Sequence, residues 1–141
     1  MNRKDFLKNL GISGAAIFAT YCAGGLTSCT SDSNTPASVT DFTLDLTLAA
    51  NKSLNTNGGY VIANNVVVAR TNTGSYVAVT KICSHEGNPN ITFDGANNRF
   101  SCSSHGALFD IQGKGTNANG SRGLKTYQTV LTGTMLRVIG S

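Results

Sequence analysis

The sequence has no tryptophan, only two prolines and two histidines, and few charged side chains among its 141 residues. Charged residues make up 13 %, against about 25 % in an average soluble domain, so Thr, Ser, Asn and Gly must form much of the surface. Lys and Arg exceed Asp and Glu by 11 to 7, a net charge of +4. That small excess forms no basic stripe, so no nucleic-acid binding is expected. The length leaves room for one folded domain.

Residues 1–28 have the pattern of a lipoprotein-type targeting segment. We therefore expect that they are not part of the folded domain. Their apolar stretch, residues 10–26, is 17 residues long, short of the roughly 20 that span a bilayer. It ends in Leu26-Thr27-Ser28-Cys29, which resembles a bacterial lipobox. We therefore expect a mature chain that begins at a lipidated Cys29. An uncleaved anchor and an ordinary thiol at Cys29 are the alternatives.

The basic head of this segment bears on the export route. Residues 2–8, NRKDFLK, resemble a twin-arginine export signal, with Lys4 where the second arginine belongs. A general secretory leader is the alternative, because its charged head and apolar body look much the same. Twin-arginine export moves folded proteins, which suits a protein that acquires a cofactor in the cytoplasm.

We predict that residues 29–40 form a flexible tether. Their sequence, TSDSNTPASVT after Cys29, is too polar to bury enough apolar area to become ordered. The rest of the chain, 41–141, alternates β-branched and apolar runs with turn signals, which predicts six to nine short strands in an all-β antiparallel sandwich or barrel. We expect no helix of useful length and no internal repeat. The runs lie at 42–48, 60–62, 66–68, 76–79, 91–93, 127–131 and 135–139.

The chemistry is concentrated in one pattern: Cys83-Ser84-His85, then sixteen residues, then Cys102-Ser103-Ser104-His105. It uses both histidines of the chain and both cysteines that lie beyond Cys29. Two thiolates and two imidazoles suit zinc or iron–sulfur chemistry. Structural zinc sites usually pair cysteine with cysteine and histidine with histidine. Here each segment supplies one of each, as two different metal ions would require.

This pattern resembles the signature of the Rieske [2Fe–2S] family. The resemblance implies that Cys83 and Cys102 hold one iron through sulfur and that His85 and His105 hold the other through nitrogen, in one cluster per chain. It also implies a Rieske-type antiparallel β sandwich over 41–141, with a small cluster-binding subdomain at about 81–123.

Further positions continue the resemblance. Residues 105–110, HGALFD, look like the second cluster loop of the family. Gly87 and Gly106 would let backbone N–H groups approach the cluster sulfides. The covering loop that often contains proline corresponds to residues 113–123, which have none.

Four positions depart from the quinol-oxidising members of the family. Asn88 and Ser104 stand where those subunits carry a disulfide between the two cluster loops. Ala107 and Phe109 stand where they carry a serine and a tyrosine whose hydroxyls bond sulfur. Since such donors stabilise the reduced cluster, their loss predicts a low reduction potential. The pattern is nearer to Rieske-type ferredoxins.

These features together predict an exported, lipid-anchored electron carrier on the periplasmic or cell-surface side of a bacterial membrane, rather than a stand-alone enzyme. Its expected partner is a cytochrome or an oxidoreductase. The alternative is the Rieske subunit of a quinol-oxidising, cytochrome bc-like membrane complex, and a third class is a non-redox binding protein with zinc or a degenerate site. A complete Rieske oxygenase is excluded, because no histidine is left for a second iron site.

Overall fold

A computed structural model describes residues 38–141, which form nine strands and two short 3₁₀ helices. The predicted targeting segment, Cys29 and most of the predicted tether lie outside these residues. No helix between residues 38 and 141 has the length and hydropathy needed to cross a bilayer. The strands are β1 (Phe42–Asp45), β2 (Tyr60–Ala63), β3 (Val66–Arg70), β4 (Tyr76–Thr80), β5 (Ile91–Asp94), β6 (Arg99–Cys102), β7 (Leu108–Phe109), β8 (Thr126–Thr132) and β9 (Met135–Ile139), and the 3₁₀ helices span Ala49–Asn55 and Ala118–Gly120.

The strands form two antiparallel sheets, which confirms the all-β fold class. The larger has the order β1-β9-β8-β4-β3-β2, and the smaller has the order β5-β6-β7. Strand β8 pairs with β4 through Thr126 and Tyr127 and with β9 through residues 128–132. The first residues of β8 pair with one neighbouring strand and the later residues with the other. The larger sheet therefore bends along β8.

Strand β3 separates two apolar cores. Val66 and Val68 belong to the core that also holds Leu136. Val67 and Ala69, on the opposite face, belong to the core beneath the small sheet. All four β3 residues are fully buried, and their alternation follows the two-residue period of a strand. The second core also contains Cys83 and Cys102, so the predicted ligand sulfurs are fixed to the packed interior.

The first strand is shorter than the sequence predicts. The apolar run 42–48 is a strand only as far as Asp45, whose carboxylate accepts hydrogen bonds from the N–H and the hydroxyl of Thr47. These two donors hold the pKa of Asp45 below its usual value. They also turn the chain into the first 3₁₀ helix, which leaves Leu48 exposed.

Candidate metal centre

The predicted ligands lie on two loops of the same shape. The first loop, residues 83–88, leads from β4 towards β5, and the second loop, residues 102–107, joins β6 to β7. In each, the cysteine N–H donates to the carbonyl five residues later, and the cysteine carbonyl accepts from the N–H four residues later. The four bonds are Cys83 N to Asn88 O at 2.7 Å, Gly87 N to Cys83 O at 2.8 Å, Cys102 N to Ala107 O at 2.9 Å and Gly106 N to Cys102 O at 3.1 Å.

A glycine makes each loop possible. Gly87 has φ 72° and Gly106 has φ 69°, a left-handed conformation that side chains with a Cβ rarely adopt. Their own N–H groups are used inside the loops. The nearby N–H groups of His85 and Glu86 lower the pKa of the Cys83 thiol, as backbone donors do around metal-bound thiolates.

The two thiols lie together in the core. Cys83 and Cys102 are free cysteines, 1 % and 2 % exposed, and both belong to the core beneath the small sheet. Burial raises the pKa of the Cys83 thiol, the N–H of His85 lowers it in part, and the neighbouring Cys102 sulfur raises it again. A buried sulfur pair of this kind becomes thiolate most readily beside a metal cation.

The two imidazoles lie further out. His85 and His105 have ring centroids 5.2 Å apart and an interplanar angle of 60°, and their side chains are 32 % and 40 % exposed. The Nδ1 atom of His85 is shielded from solvent and has no hydrogen-bond partner. A buried nitrogen without a partner is costly unless a metal ion uses its lone pair. Two buried sulfurs below two outer nitrogens fit a cluster of two irons with different ligands.

Glu86 is a site residue that the sequence analysis missed. Its carboxylate lies between the imidazoles, with one oxygen 3.3 Å from His105 Nε2 and the other 3.9 Å from His85 Nδ1. The three side chains bring one donor atom each within 4.8 Å of one another. The signal in the sequence was an acidic residue directly after a candidate ligand histidine, because ligand histidines commonly donate their second N–H to a carboxylate.

The covering loop, residues 113–123, is held by amide side chains instead of proline. Asn117 donates from Nδ2 to Gly106 O at 2.7 Å, and its Oδ1 accepts from the N–H groups of Leu108 and Gly120, both at 3.0 Å. Asn119 donates to the carbonyl of His105 at 2.7 Å. The second loop therefore receives two side-chain bonds from the covering loop.

We expect Asn117→Ala to lower the free energy of unfolding by about 2–4 kcal/mol, because three hydrogen bonds are lost and the partly buried N–H of Leu108 is left without a partner. Asn119→Ala removes one bond and is the matched comparison, with an expected loss of about 1 kcal/mol. Urea denaturation measures both values. Equal losses for the two variants would show that Asn117 does not brace the loop.

A hydrogen-bonded contact joins Asn90, two residues after the first loop, to the second loop at Ser104, one of the two positions where the resemblance implies a disulfide in quinol-oxidising members. Asn90 donates from Nδ2 to the hydroxyl of Ser104, and its carbonyl accepts from the N–H of Ser103 at 3.3 Å. Sequence reasoning singled out Ser104 but not Asn90. Ala107 and Phe109 are fully buried in the core beneath the small sheet, and neither has a hydroxyl to offer to sulfur.

Comparison with known proteins gives one family match. A family model described as "Rieske [2Fe-2S] domain" matches residues 46–128, which is more than half of the chain and includes all four predicted ligands. A search of curated proteins found no match to this chain.

Two of the solved structures that match this chain, with TM-scores above 0.5, share its fold. The ferredoxin of carbazole 1,9a-dioxygenase from Nocardioides aromaticivorans IC177 is 21 % identical, with a TM-score of 0.55 over 76 % of this chain and 99 % of that chain. A naphthalene 1,2-dioxygenase mutant is 22 % identical, with a TM-score of 0.52 over 70 % of this chain and 26 % of that chain. The plasma membrane Rieske protein PetC3 from Synechocystis PCC 6803 is 35 % identical, with a TM-score of 0.47 over 52 % of this chain and 74 % of that chain.

Proposed function

Because this chain belongs to the Rieske [2Fe–2S] family, we propose that it is a lipid-anchored electron carrier on the outer side of a bacterial membrane. A Rieske domain binds a [2Fe–2S] cluster, which takes up and releases one electron. Three features are proposed in addition to this family property. They are the lipid anchor, the exported location and the role of an electron carrier that catalyses no reaction of its own.

We propose Cys83 and Cys102 as the ligands of one iron and His85 and His105 as the ligands of the other. The burial of both cysteines in one core, the proximity of the imidazoles and the unpartnered Nδ1 of His85 support this assignment. Two neutral imidazoles add no negative charge, so such a cluster accepts an electron more easily than one with four thiolates.

The proposed role is supported most directly by the difference in solvent exposure between the two cysteines and the two histidines. The cysteines are 1 % and 2 % exposed, whereas the histidine side chains are 32 % and 40 % exposed. The core therefore excludes water from the sulfurs, while the imidazoles reach the surface where a redox protein can approach. A carrier needs this exposed edge and no substrate pocket.

Glu86 is expected to lower the reduction potential, because the negative charge of a carboxylate beside the ligand histidines favours the oxidised, less negative cluster. We expect Glu86→Gln to raise the potential by about 30–60 mV, since an exposed charge a few ångströms away contributes about 1 kcal/mol and about 1.4 kcal/mol corresponds to 59 mV for one electron. Protein-film voltammetry measures the shift. Glu86→Asp keeps the charge and serves as the control; an unchanged potential in Glu86→Gln would contradict this role.

The anchor rests on the lipobox-like Leu26-Thr27-Ser28-Cys29 and on the polar residues that follow it. In this proposal, residues 1–28 are removed, Cys29 carries the lipid and the tether through residue 40 holds the domain at the periplasmic or cell-surface side. Acyl chains bind a membrane by about 0.8 kcal/mol per buried CH₂, so two or more chains hold a protein firmly.

We expect Cys29→Ala to move the protein from the membrane fraction to the soluble fraction, with its iron content unchanged. Fractionation of cells and the intact mass of the purified protein check both parts. Cys22→Ala is the matched control, since Cys22 follows Tyr21 and does not fit the lipobox pattern. A wild-type mature chain without acyl groups would refute the anchor while leaving the electron-carrier role in place.

The carrier role itself is tested by single-turnover kinetics. The cluster-loaded chain, reduced with dithionite and freed of excess reductant, is mixed with a c-type cytochrome, and we expect one electron to pass per chain. A short-chain quinol added to the oxidised protein and the cytochrome is expected not to sustain turnover. Sustained quinol oxidation would replace the carrier role with that of a quinol-oxidising subunit.

A further inference from the structure

A cavity of about 320 Å³ opens beside the first loop. Its wall includes Ser84, which lies between the proposed ligands Cys83 and His85. The remaining lining residues come from the end of β4 and from the segment that leads into β8: Thr80, Ile82, Arg122, Gly123, Leu124 and Lys125. A group bound in this cavity would thus be next to the backbone that carries two cluster ligands.

Two cations line this cavity. Among residues 38–141, Arg99 pairs with Asp94 and Arg137 pairs with Asp41, but no Asp or Glu side chain pairs with Arg122 or Lys125. One Arg122 nitrogen donates to the Ser84 carbonyl at 3.4 Å, and Lys125 Nζ donates to Ser141 O at 3.0 Å. A guanidinium has five N–H donors and an ammonium has three, so both groups keep donors for a further acceptor.

A third polar group in the cavity wall is also unpaired. The hydroxyl oxygen of Ser84 is shielded from solvent and has no hydrogen-bond partner. The nearest acidic residue in the sequence, Glu86, does not line the cavity; its carboxylate contacts the two imidazoles instead. The Ser84 hydroxyl is shielded from an incoming group, but the two cations, with no competing carboxylate in the lining, are complementary to a carboxylate of another molecule.

We propose that this cavity is the docking site for an acidic surface of the redox partner, with a partner carboxylate between Arg122 and Lys125. The inference rests on the proposed electron-carrier function. It adds the sign of the charge on the partner's docking surface, which that function does not specify. Charge complementarity at the rim of a redox centre increases the rate of encounter and fixes the orientation of the complex. Docking here would place the partner beside the first loop and its histidine.

The test uses the full, cluster-loaded chain and two small oxidants of opposite charge. Oxidation of the reduced protein is followed by stopped flow with hexacyanoferrate(III), a trivalent anion, and with hexaammineruthenium(III), a trivalent cation. At low ionic strength we expect Arg122→Gln and Lys125→Gln each to slow the reaction with the anion by about fivefold and not to slow the reaction with the cation. A change in reduction potential would instead move both rate constants in the same direction.

The matched control is Lys52→Gln, which removes the same charge from the first 3₁₀ helix, away from this cavity; its rate constants should stay unchanged. Arg122→Lys keeps the charge and separates a local charge effect from a loosened covering loop. A hexaglutamate peptide serves as the probe for an acidic protein surface, and we expect it to inhibit the hexacyanoferrate reaction of the wild type but not of either glutamine variant.

The outcomes separate this proposal from the function on which it rests. A chain without iron would overturn both. The docking site alone would be overturned if the cluster is present but Arg122→Gln and Lys125→Gln have the same rate constants as Lys52→Gln. It would also be overturned if the peptide does not inhibit the hexacyanoferrate reaction of the wild type. Binding to phosphatidylglycerol vesicles that both glutamine variants abolish would assign the cavity to lipid headgroups and overturn docking of a protein there.

Discussion

Replacing Cys83 or Cys102 with serine will abolish the cluster, so that iron and acid-labile sulfide fall from two of each per chain to none. Both cysteines are buried in the same core, and a serine hydroxyl at the same place is a poor ligand for iron of this type. Loss of the cluster will also destabilise both loops, because metal ligation contributes directly to folding. Colorimetric iron and sulfide analysis, together with the visible absorption spectrum, measures the effect.

Ser103→Ala is the matched control, since Ser103 is an exposed neighbour of Cys102 in the same loop. Its iron content should equal that of the wild type. A cysteine variant that keeps two irons and two sulfides would remove that cysteine from the ligand set. Thermal denaturation distinguishes a folded chain without a cluster from a chain that fails to fold.

The second large effect is expected in the reduction potential, which should lie nearer to about −150 mV than to about +300 mV, the two ends of the range for Rieske centres. Ala107 is fully buried in the second loop and Phe109 in β7, and neither can donate a hydrogen bond to sulfur. Because charge-assisted hydrogen bonds contribute about 1.5–3 kcal/mol, Ala107→Ser should raise the potential by about 60 mV or more if its hydroxyl reaches sulfur.

Phe109→Tyr should raise the potential further, but its ring has less freedom to adjust. A Cβ added to Gly120 would lie 3.2 Å from the Phe109 ring, so the ring packs closely against that backbone. Ala78→Ser, at a buried alanine of the other core, is the matched control and should leave the potential unchanged. A wild-type value above about +200 mV would show that other donors replace the missing hydroxyls, and it would favour quinol oxidation.

The strands of the larger sheet were predictable from local patterns. The apolar runs at 60–62, 66–68, 76–79 and 135–139 all lie within strands, and the turn signal Asn64-Asn65 forms the β2–β3 turn with φ 49° and 65°. Asparagine tolerates this left-handed conformation better than most residues. Period and turn chemistry are local properties, and for that reason they can be read from the sequence alone.

Strands β6 and β7 were missed because they lack such patterns. β6, Arg99–Cys102, contains one large apolar residue, Phe100, and β7 is only two residues long. Both depend on pairing across the small sheet, where Phe100 lies opposite Phe93 and Phe109. That pairing is a tertiary contact, which local sequence patterns do not encode.

At the site, the proposed ligand residues followed from spacing, whereas their supports did not. Two Cys-His pairs at this spacing are rare in a sequence, so they could be recognised as candidate ligands without a structure. Asn117, Asn119 and Asn90 belong to a chain rich in asparagine, and nothing local marks them out from the others. Their roles depend on which carbonyls and hydroxyls the folded loops bring within reach.

Pulsed EPR of the reduced wild-type chain, grown with ¹⁵N-labelled histidine, tests whether two histidines ligate a [2Fe–2S] cluster. We expect the signal of a reduced [2Fe–2S] cluster with strong coupling to two histidine nitrogens, one from each of the two loops. His85→Cys and His105→Cys should each remove one of these couplings. A colourless protein that holds one zinc ion, or a cluster signal without histidine coupling, would contradict the account.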